Sequence, residues 1–274
     1  TLPALEYLEG GVWKTYDATN PPKIASGATT LLVRVAINAE QEAALDGPET
    51  FNLVATNTGG TAATGTATIV DNGTGDYFAA SNNTATSSVL TGVVLDDDRP
   101  VTITSPTVNE ASPFAVFTVD GAAGQLVSLN LAAGTAAGNL DFQTKVEYST
   151  DGVTWTTYTG GNVSLDGPNG TLLVRVPIVN DSTQEPDETF ILTATNTGGT
   201  AVVGTATIQD DGNGTIFNDN GTVNTAAVKD DDRPLTIAPV TVNEASPWAV
   251  FTVSGAANQL AALSLANVTT TGLS

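Results

Sequence analysis

The chain of 274 residues contains no cysteine, no histidine and no methionine. Without cysteine there is no disulfide framework and no thiolate chemistry. Without histidine, the Ser-His-Asp and Cys-His catalytic arrangements are excluded, as are the usual zinc sites. Basic residues are scarce: 8 Lys and Arg stand against 29 Asp and Glu, a formal net charge of −21. Such a surface repels nucleic acid and anionic membranes, because phosphate binding needs clustered Lys and Arg. Aromatic residues make up 6% of the chain, too few to wall the cleft that a glycosidase carboxylate pair would need. The chain is therefore expected not to be an enzyme by itself. No apolar run approaches the roughly 18 residues of a membrane span, so membrane insertion is not expected, and no signal peptide is visible. A sequence that starts at Thr1 and holds no methionine reads as a fragment or a processed product.

What is present points to a folded β protein. The hydrophobic fraction is 41%, too high for a disordered acidic chain, so a packed core is expected. Thr and Val favour strands, and Gly, Asn and Asp favour turns. The chain also repeats itself. Asp96-Asp97-Asp98-Arg99-Pro100 recurs 134 residues later as Asp230-Asp231-Asp232-Arg233-Pro234. Val108-Asn109-Glu110-Ala111-Ser112-Pro113 returns at the same offset from Val242 to Pro247. Leu31–Val35 recurs at Leu172–Val176, and Ala55–Thr61 at Ala194–Thr200, offsets of 141 and 139. The drift between offsets is that of loop insertions between fixed strands. This arithmetic predicts a complete repeat over 99–232, a partial repeat over 1–98 lacking its first strands, and the first strands of a further repeat over 233–274. The two ends read as halves of one repeat, so the tail of one copy could complete the head of another.

Within the complete repeat, apolar residues alternate with period two, the mark of a half-buried strand. Leu172, Val174, Val176 and Ile178 share one face, as do Phe190, Leu192 and Ala194. Glu147–Trp155 reads as a hairpin turning at Asp151-Gly152, with its copy at Glu6–Trp13. Pro177 is expected on an edge or at a bulge. A segment of roughly 20 residues between Asp211 and Asp230 is expected to add a hairpin at the repeat junction. Seven or more short strands in about 130 residues predict an all-β fold of tandem antiparallel, immunoglobulin-like β-sandwich repeats.

The order of these motifs resembles the Calx-beta repeat: Val-Asn-Glu110, then Ala-Val-Phe-Thr-Val, Asp141-Phe142, an acidic stretch before Glu188-Thr-Phe, and a last strand closing on Asp210-Asp211. The composition and near-identical copies look most like giant secreted bacterial surface or adhesin proteins. The resemblance implies a Ca2+ site at one end of the sandwich, with Glu110, Asp141, Asp181, Glu185, Asp187, Asp210 and Asp211 as ligands. In the split repeat the corresponding residues are Glu244, Asp46, Glu49 and Asp71. That copy departs from the pattern: Ser274-Thr1-Leu2 stands for Asp141-Phe142, and Asp71-Asn72 for the double Asp. Its site is expected to be weaker, differently built or lost.

Calcium favours six to eight oxygen ligands, and a chain dense in Asp at strand ends without His or Cys fits that inventory. The plainer reading is that acids on loops are merely solvated. For the triplets Asp96, Asp97, Asp98 and Asp230, Asp231, Asp232, metal binding competes with a charged linker in which Arg99 or Arg233 pairs with an Asp. Trp13, Trp155 and Trp248 fit packing roles better than sugar stacking. The expected role is a structural repeat of an extracellular stalk, fibre or biofilm protein, stiffened by calcium and associating with neighbouring repeats or with copies of itself. An adhesive module for surface glycan or protein, and an accessory module of a secreted enzyme, are the alternatives.

Overall fold

The computed structural model describes residues 4–37, 45–78 and 89–266. Among these residues there are strands and turns but no helix. The chain divides into two compact units: residues 1–100 with 125–127 and 195–201, and residues 101–124, 128–194 and 202–274.

In the first unit, β1 (Leu5–Glu9) lies between β2 (Val12–Thr15) and β3 (Val33–Val35). The β1–β2 turn is Gly10-Gly11, with φ of 61° and 84°. Two successive positive φ values define the type I′ turn that matches the twist of a tight hairpin. A second, two-stranded sheet pairs β4 (Glu49–Thr56) with β5 (Ala62–Ile69) in an eight-residue antiparallel register from Glu49↔Ile69 to Thr56↔Ala62.

The second unit holds most of the strands that follow: β6 (Thr102–Ile103), β7 (Thr107–Asn109), β8 (Phe114–Asp120), β9 (Leu126–Ala133), β10 (Glu147–Ser149), β11 (Thr156–Thr157), β12 (Asn162–Ser164), β13 (Thr171–Pro177), β14 (Glu188–Asn196) and β15 (Ala201–Gln209). They form two five-stranded sheets, ordered β11-β10-β13-β8-β6 and β12-β9-β14-β15-β7. The alternation seen in the sequence is the alternation of burial. Leu172, Val174 and Val176 of β13, Phe117 and Val119 of β8, and Phe190, Leu192 and Ala194 of β14 are all fully buried. Phe190 meets Phe117 edge-on at 6.0 Å and stacks on Phe142 at 4.5 Å. A contact between β8 and β14 joins the inner faces of the two sheets, so the architecture is the expected β-sandwich.

The 147–155 hairpin forms, with Glu147↔Thr157 and Tyr148↔Thr156 paired. Its turn is longer than two residues and is organised by the Asp151 carboxylate, which accepts from the amides of Val153 and Thr154 at 2.8 and 2.7 Å. The segment after Asp211 does turn back on itself, with Phe217 bridging Val223. Pro177 is not on an edge strand, and the register against the preceding segment shifts beside it, from Glu147↔Arg175 to Phe142↔Ile178. It closes β13 in register with Phe114, where a strand end tolerates the missing N–H. Beyond β15, β16 (Thr236–Ile237) pairs with β17 (Val253–Ser254).

Candidate metal centre

The sandwich strands end in loops that converge their acids into clusters. In the first cluster, carboxylate oxygens of Glu110, Asp230 and Asp232 lie within 4.8 Å of one another. Glu110 follows β7 and is buried. One of its oxygens accepts from the Asp181 amide at 2.9 Å, and the other, Oε2, has no hydrogen-bond partner. Asp232 Oδ2 is likewise buried and unpartnered. Asp210, at the end of β15, accepts from the amides of Glu185 (2.9 Å) and Asp232 (3.3 Å). Asn109 anchors the arrangement: its Oδ1 accepts from the Asp230 amide at 2.8 Å, and its Nδ2 donates to the Asp230 carbonyl at 3.0 Å.

The second cluster joins Asp141, Glu185 and Glu188. With Glu110, Asp210, Pro186 and Ile208 these residues line one small recess, so the two clusters adjoin. Glu188 opens β14, and its ligand potential is a finding of the structure. In the sequence it marks the start of a strand, whereas its repeat copy, Glu49, is among the ligands the resemblance implies. The third cluster, in the other unit, is Asp71, Asp96 and Asp98. Asp98 is buried, and its Oδ1 is unpartnered.

Charge repulsion and burial show in the titration of these groups. Desolvation, reinforced by neighbouring carboxylates, lifts Glu110 to about 7. Desolvation and a hydrogen bond shared with Asp141 take Glu188 to about 7, and desolvation with a bond to Asp71 takes Asp98 to about 6. Burial also raises Asp232 and Glu185. Burial and neighbouring negative charge both disfavour the ionised form of such acids. The donor set is entirely carboxylate oxygen, and it includes buried oxygens with no hydrogen-bond partner among the described residues. Those properties fit Ca2+.

Other predicted ligands lie elsewhere or are already engaged. Asp97 and Asp231, the middle members of the triplets, are held by forked ion pairs: Arg99 to Asp97 at 2.8 and 2.6 Å, and Arg233 to Asp231 at 2.7 and 2.7 Å. These are the Arg–Asp pairs that the linker reading expects, and the flanking members of each triplet are the ones gathered with other carboxylates. Asp211 accepts from the amide and side chain of Asn213 in a turn. Asp187 accepts from Gln209 at 2.9 Å, and Asp181 from the Thr183 amide at 2.6 Å. Asp46 donates its amide to Asp71 at 3.3 Å. That bond copies the one between Glu185 and Asp210. Glu49 is exposed at the start of β4, and Glu244 is exposed in a turn. Ser274, Thr1 and Leu2 lie outside the described residues. Trp155 is taken up by packing: the Arg175 guanidinium lies 4.1 Å from its ring and 3.9 Å from that of Phe114.

No family model matches the chain, and no curated protein matches it. Among solved structures it is similar to the calcium binding domain CBD12 of CALX1.1, at 20% identity and a TM-score of 0.31, with 41% of this chain and 46% of that one covered. CBD12 from CALX1.2 is similar at 19% identity and a TM-score of 0.27, covering 40% of this chain and 44% of that one. A tetra-tandem repeat in the extending region of a large adhesion protein is similar at 14% identity and a TM-score of 0.27, covering 88% of this chain and 45% of that one. The chain thus spans less than half the length of each of these proteins.

Proposed function

We propose that the chain is a structural repeat unit of an extracellular stalk or fibre whose sandwiches are stiffened by calcium at their strand ends. The observation that carries this reading is the first cluster. The buried, unpartnered oxygens of Glu110 and Asp232 face Asp230 at the point where one repeat hands over to the next. Calcium there would be held by Glu110, Asp230, Asp232 and Asp210, and beside it by Asp141, Glu185 and Glu188. The ion supplies positive charge that relieves the mutual repulsion of these acids. The chain's own residues do the positioning: Asn109 fixes the Asp230 backbone, and the Arg233–Asp231 fork keeps the triplet in one conformation. A loop tied to β7, β14 and β15 through one ion loses freedom to bend. Calcium then acts as a switch between a loose chain and a stiff one, which suits a protein exported from a low-calcium compartment. Association with neighbouring repeats belongs to the same reading, and the reading assigns the chain no catalysis.

Small-angle X-ray scattering tests the stiffening. The chain in millimolar calcium should show a narrower range of conformations than in excess chelator. Superimposable profiles would leave a passive acidic spacer in place of a calcium-stiffened one.

A further inference from the structure

The strands on either side of the complete sandwich reproduce parts of it, pair by pair. In the β16–β17 pair, Thr236↔Ser254 and Ile237↔Val253 copy Thr102↔Asp120 and Ile103↔Val119 of β6–β8 at the offset of 134. In β1–β3, Glu6↔Arg34 and Tyr7↔Val33 copy Glu147↔Arg175 and Tyr148↔Val174 of β10–β13 at the offset of 141. The complete sheet joins these two parts through β13 and β8, paired from Thr171↔Asp120 to Pro177↔Phe114. Among the described residues, β3 pairs only with β1 and β17 only with β16. Neither strand has, among the described residues, a counterpart of the β13–β8 pairing.

The apolar side chains whose copies fill the complete sandwich face solvent in these two parts. Phe251 is 54% exposed where its copy Phe117 is 0%, Val253 is 38% where Val119 is 0%, and Leu263 is 75% where Leu129 is 6%. On the other half, Phe51 and Leu53 of β4 are half-buried where Phe190 and Leu192 are fully covered. Two further details match. Arg175 bonds Glu147 and lies against Trp155 and Phe114. Arg34 bonds Glu6 at 2.6 Å and lies 4.4 Å from Trp13, but its second ring, the copy of Phe114, would be the exposed Trp248. Gly214 sits so close to β7 that a Cβ would come within 2.4 Å of Asn109 N, whereas its copy Gly75 has only a Val70 methyl near it.

We propose that a second copy of this chain supplies the counterpart of the β13–β8 pairing by strand addition. Residues 248–254 of one copy pair antiparallel with β3 of the next, in the register Leu32↔Thr252, Val33↔Phe251 and Arg34↔Val250. Trp248 then stacks on Arg34, and Phe251 and Val253 enter a sandwich core with Phe51 and Leu53. The donor segment follows the complete repeat in the chain and the acceptor precedes it. The contact is therefore heterologous, and repetition builds an open linear assembly. Closure would also bring Glu244, the copy of Glu110, to Asp71, Asp96 and Asp98. That last step rests on the calcium reading above, whereas the strand pairing does not.

The chain has no native cysteine, so introduced thiols report the register cleanly. Leu32→Cys and Thr252→Cys are made as separate full-length variants, mixed and mildly oxidised in calcium. Disulfide-linked dimers containing one of each are expected, and the variant carrying both changes should give a ladder of oligomers. Replacing Thr252→Cys by Ser254→Cys, out of register on the same face, should cut the yield by about fivefold or more, because diagonal neighbours exceed disulfide reach. The unaltered chain should sediment with a mass that grows with concentration. Equal yields from the two mixtures, a mass independent of concentration, or only internally linked monomers from the double variant would each overturn the proposal, whatever calcium does to melting. Glu244→Gln should remove calcium's enhancement of cross-linking and leave the cross-link itself. Cross-linking in register but indifferent to calcium would overturn the role of Glu244 alone.

Discussion

Millimolar calcium should raise the melting temperature of the chain by roughly 10–20 °C, and magnesium by far less. An ion that binds only the folded state adds about 2.7 kcal/mol when present at about 100 times its dissociation constant. Two such ions in the adjoining clusters add about 5 kcal/mol, and a domain of this size moves by about 2–4 °C or more per kcal/mol. Magnesium demands near-octahedral geometry and gives up its water reluctantly, so it fits an irregular group of carboxylates poorly. The pH dependence checks the cause. Glu110 and Glu188 are lifted to about 7 from 4.5, and Asp98 to about 6 from 3.8. Between those limits the folded chain binds more protons than the unfolded one, so stability falls as pH rises. In chelator the melting temperature should therefore drop from about pH 5 to about pH 7.5. In calcium that drop should vanish, because the ion replaces the protons. A melting temperature blind to calcium, together with one that climbs with pH in chelator, would mean the acids carry no mutual strain.

Phe190→Ala should cost about 3–5 kcal/mol, the upper range for a buried aromatic truncated in a core. The ring is fully buried and touches both Phe117 on the opposite sheet and Phe142 beside Asp141. Its loss opens a cavity between the sheets and loosens the segment that presents Asp141 to Glu185 and Glu188. Melting should fall by roughly 10 °C or more, and the calcium-induced rise should shrink as well. The repeat copy supplies the control. Phe51 is half-buried on β4, so Phe51→Ala should cost about 1 kcal/mol or less in the separate chain. Equal losses at the two positions would contradict the assignment of one closed core and one open half. Thermal or denaturant unfolding of both variants measures the difference.

These two positions also show what the sequence could and could not reveal. Period-two patterning exposed the strands, because burial on one face of a sheet demands alternating residues. Internal offsets exposed the repeat, and the same offsets reappear in the pairing registers of β1–β3 and β16–β17. The acid clusters were only half legible. Sequence marks the density of carboxylates at strand ends, but not which oxygen a neighbour claims. Asp97 and Asp231 read like Asp96 and Asp230 until Arg99 and Arg233 are seen clasping them. Asp211 sits beside Asp210 in sequence, yet a turn places its carboxylate on Asn213 instead. Glu188 looked like part of a strand, and it is; being first in that strand is what brings it to Asp141. That Pro177 closes a central strand and not an edge one depends on β8, some sixty residues earlier in the chain.

Calorimetric titration of calcium into the chelator-treated chain at neutral pH tests the central claim most directly, with Glu110→Gln/Asp232→Asn as the comparison. The account predicts saturable binding to the unaltered chain, release of protons as the raised carboxylates give them up, and loss of part of the stoichiometry in the variant. Absence of binding heat, or an isotherm that the two substitutions leave unchanged, would contradict it.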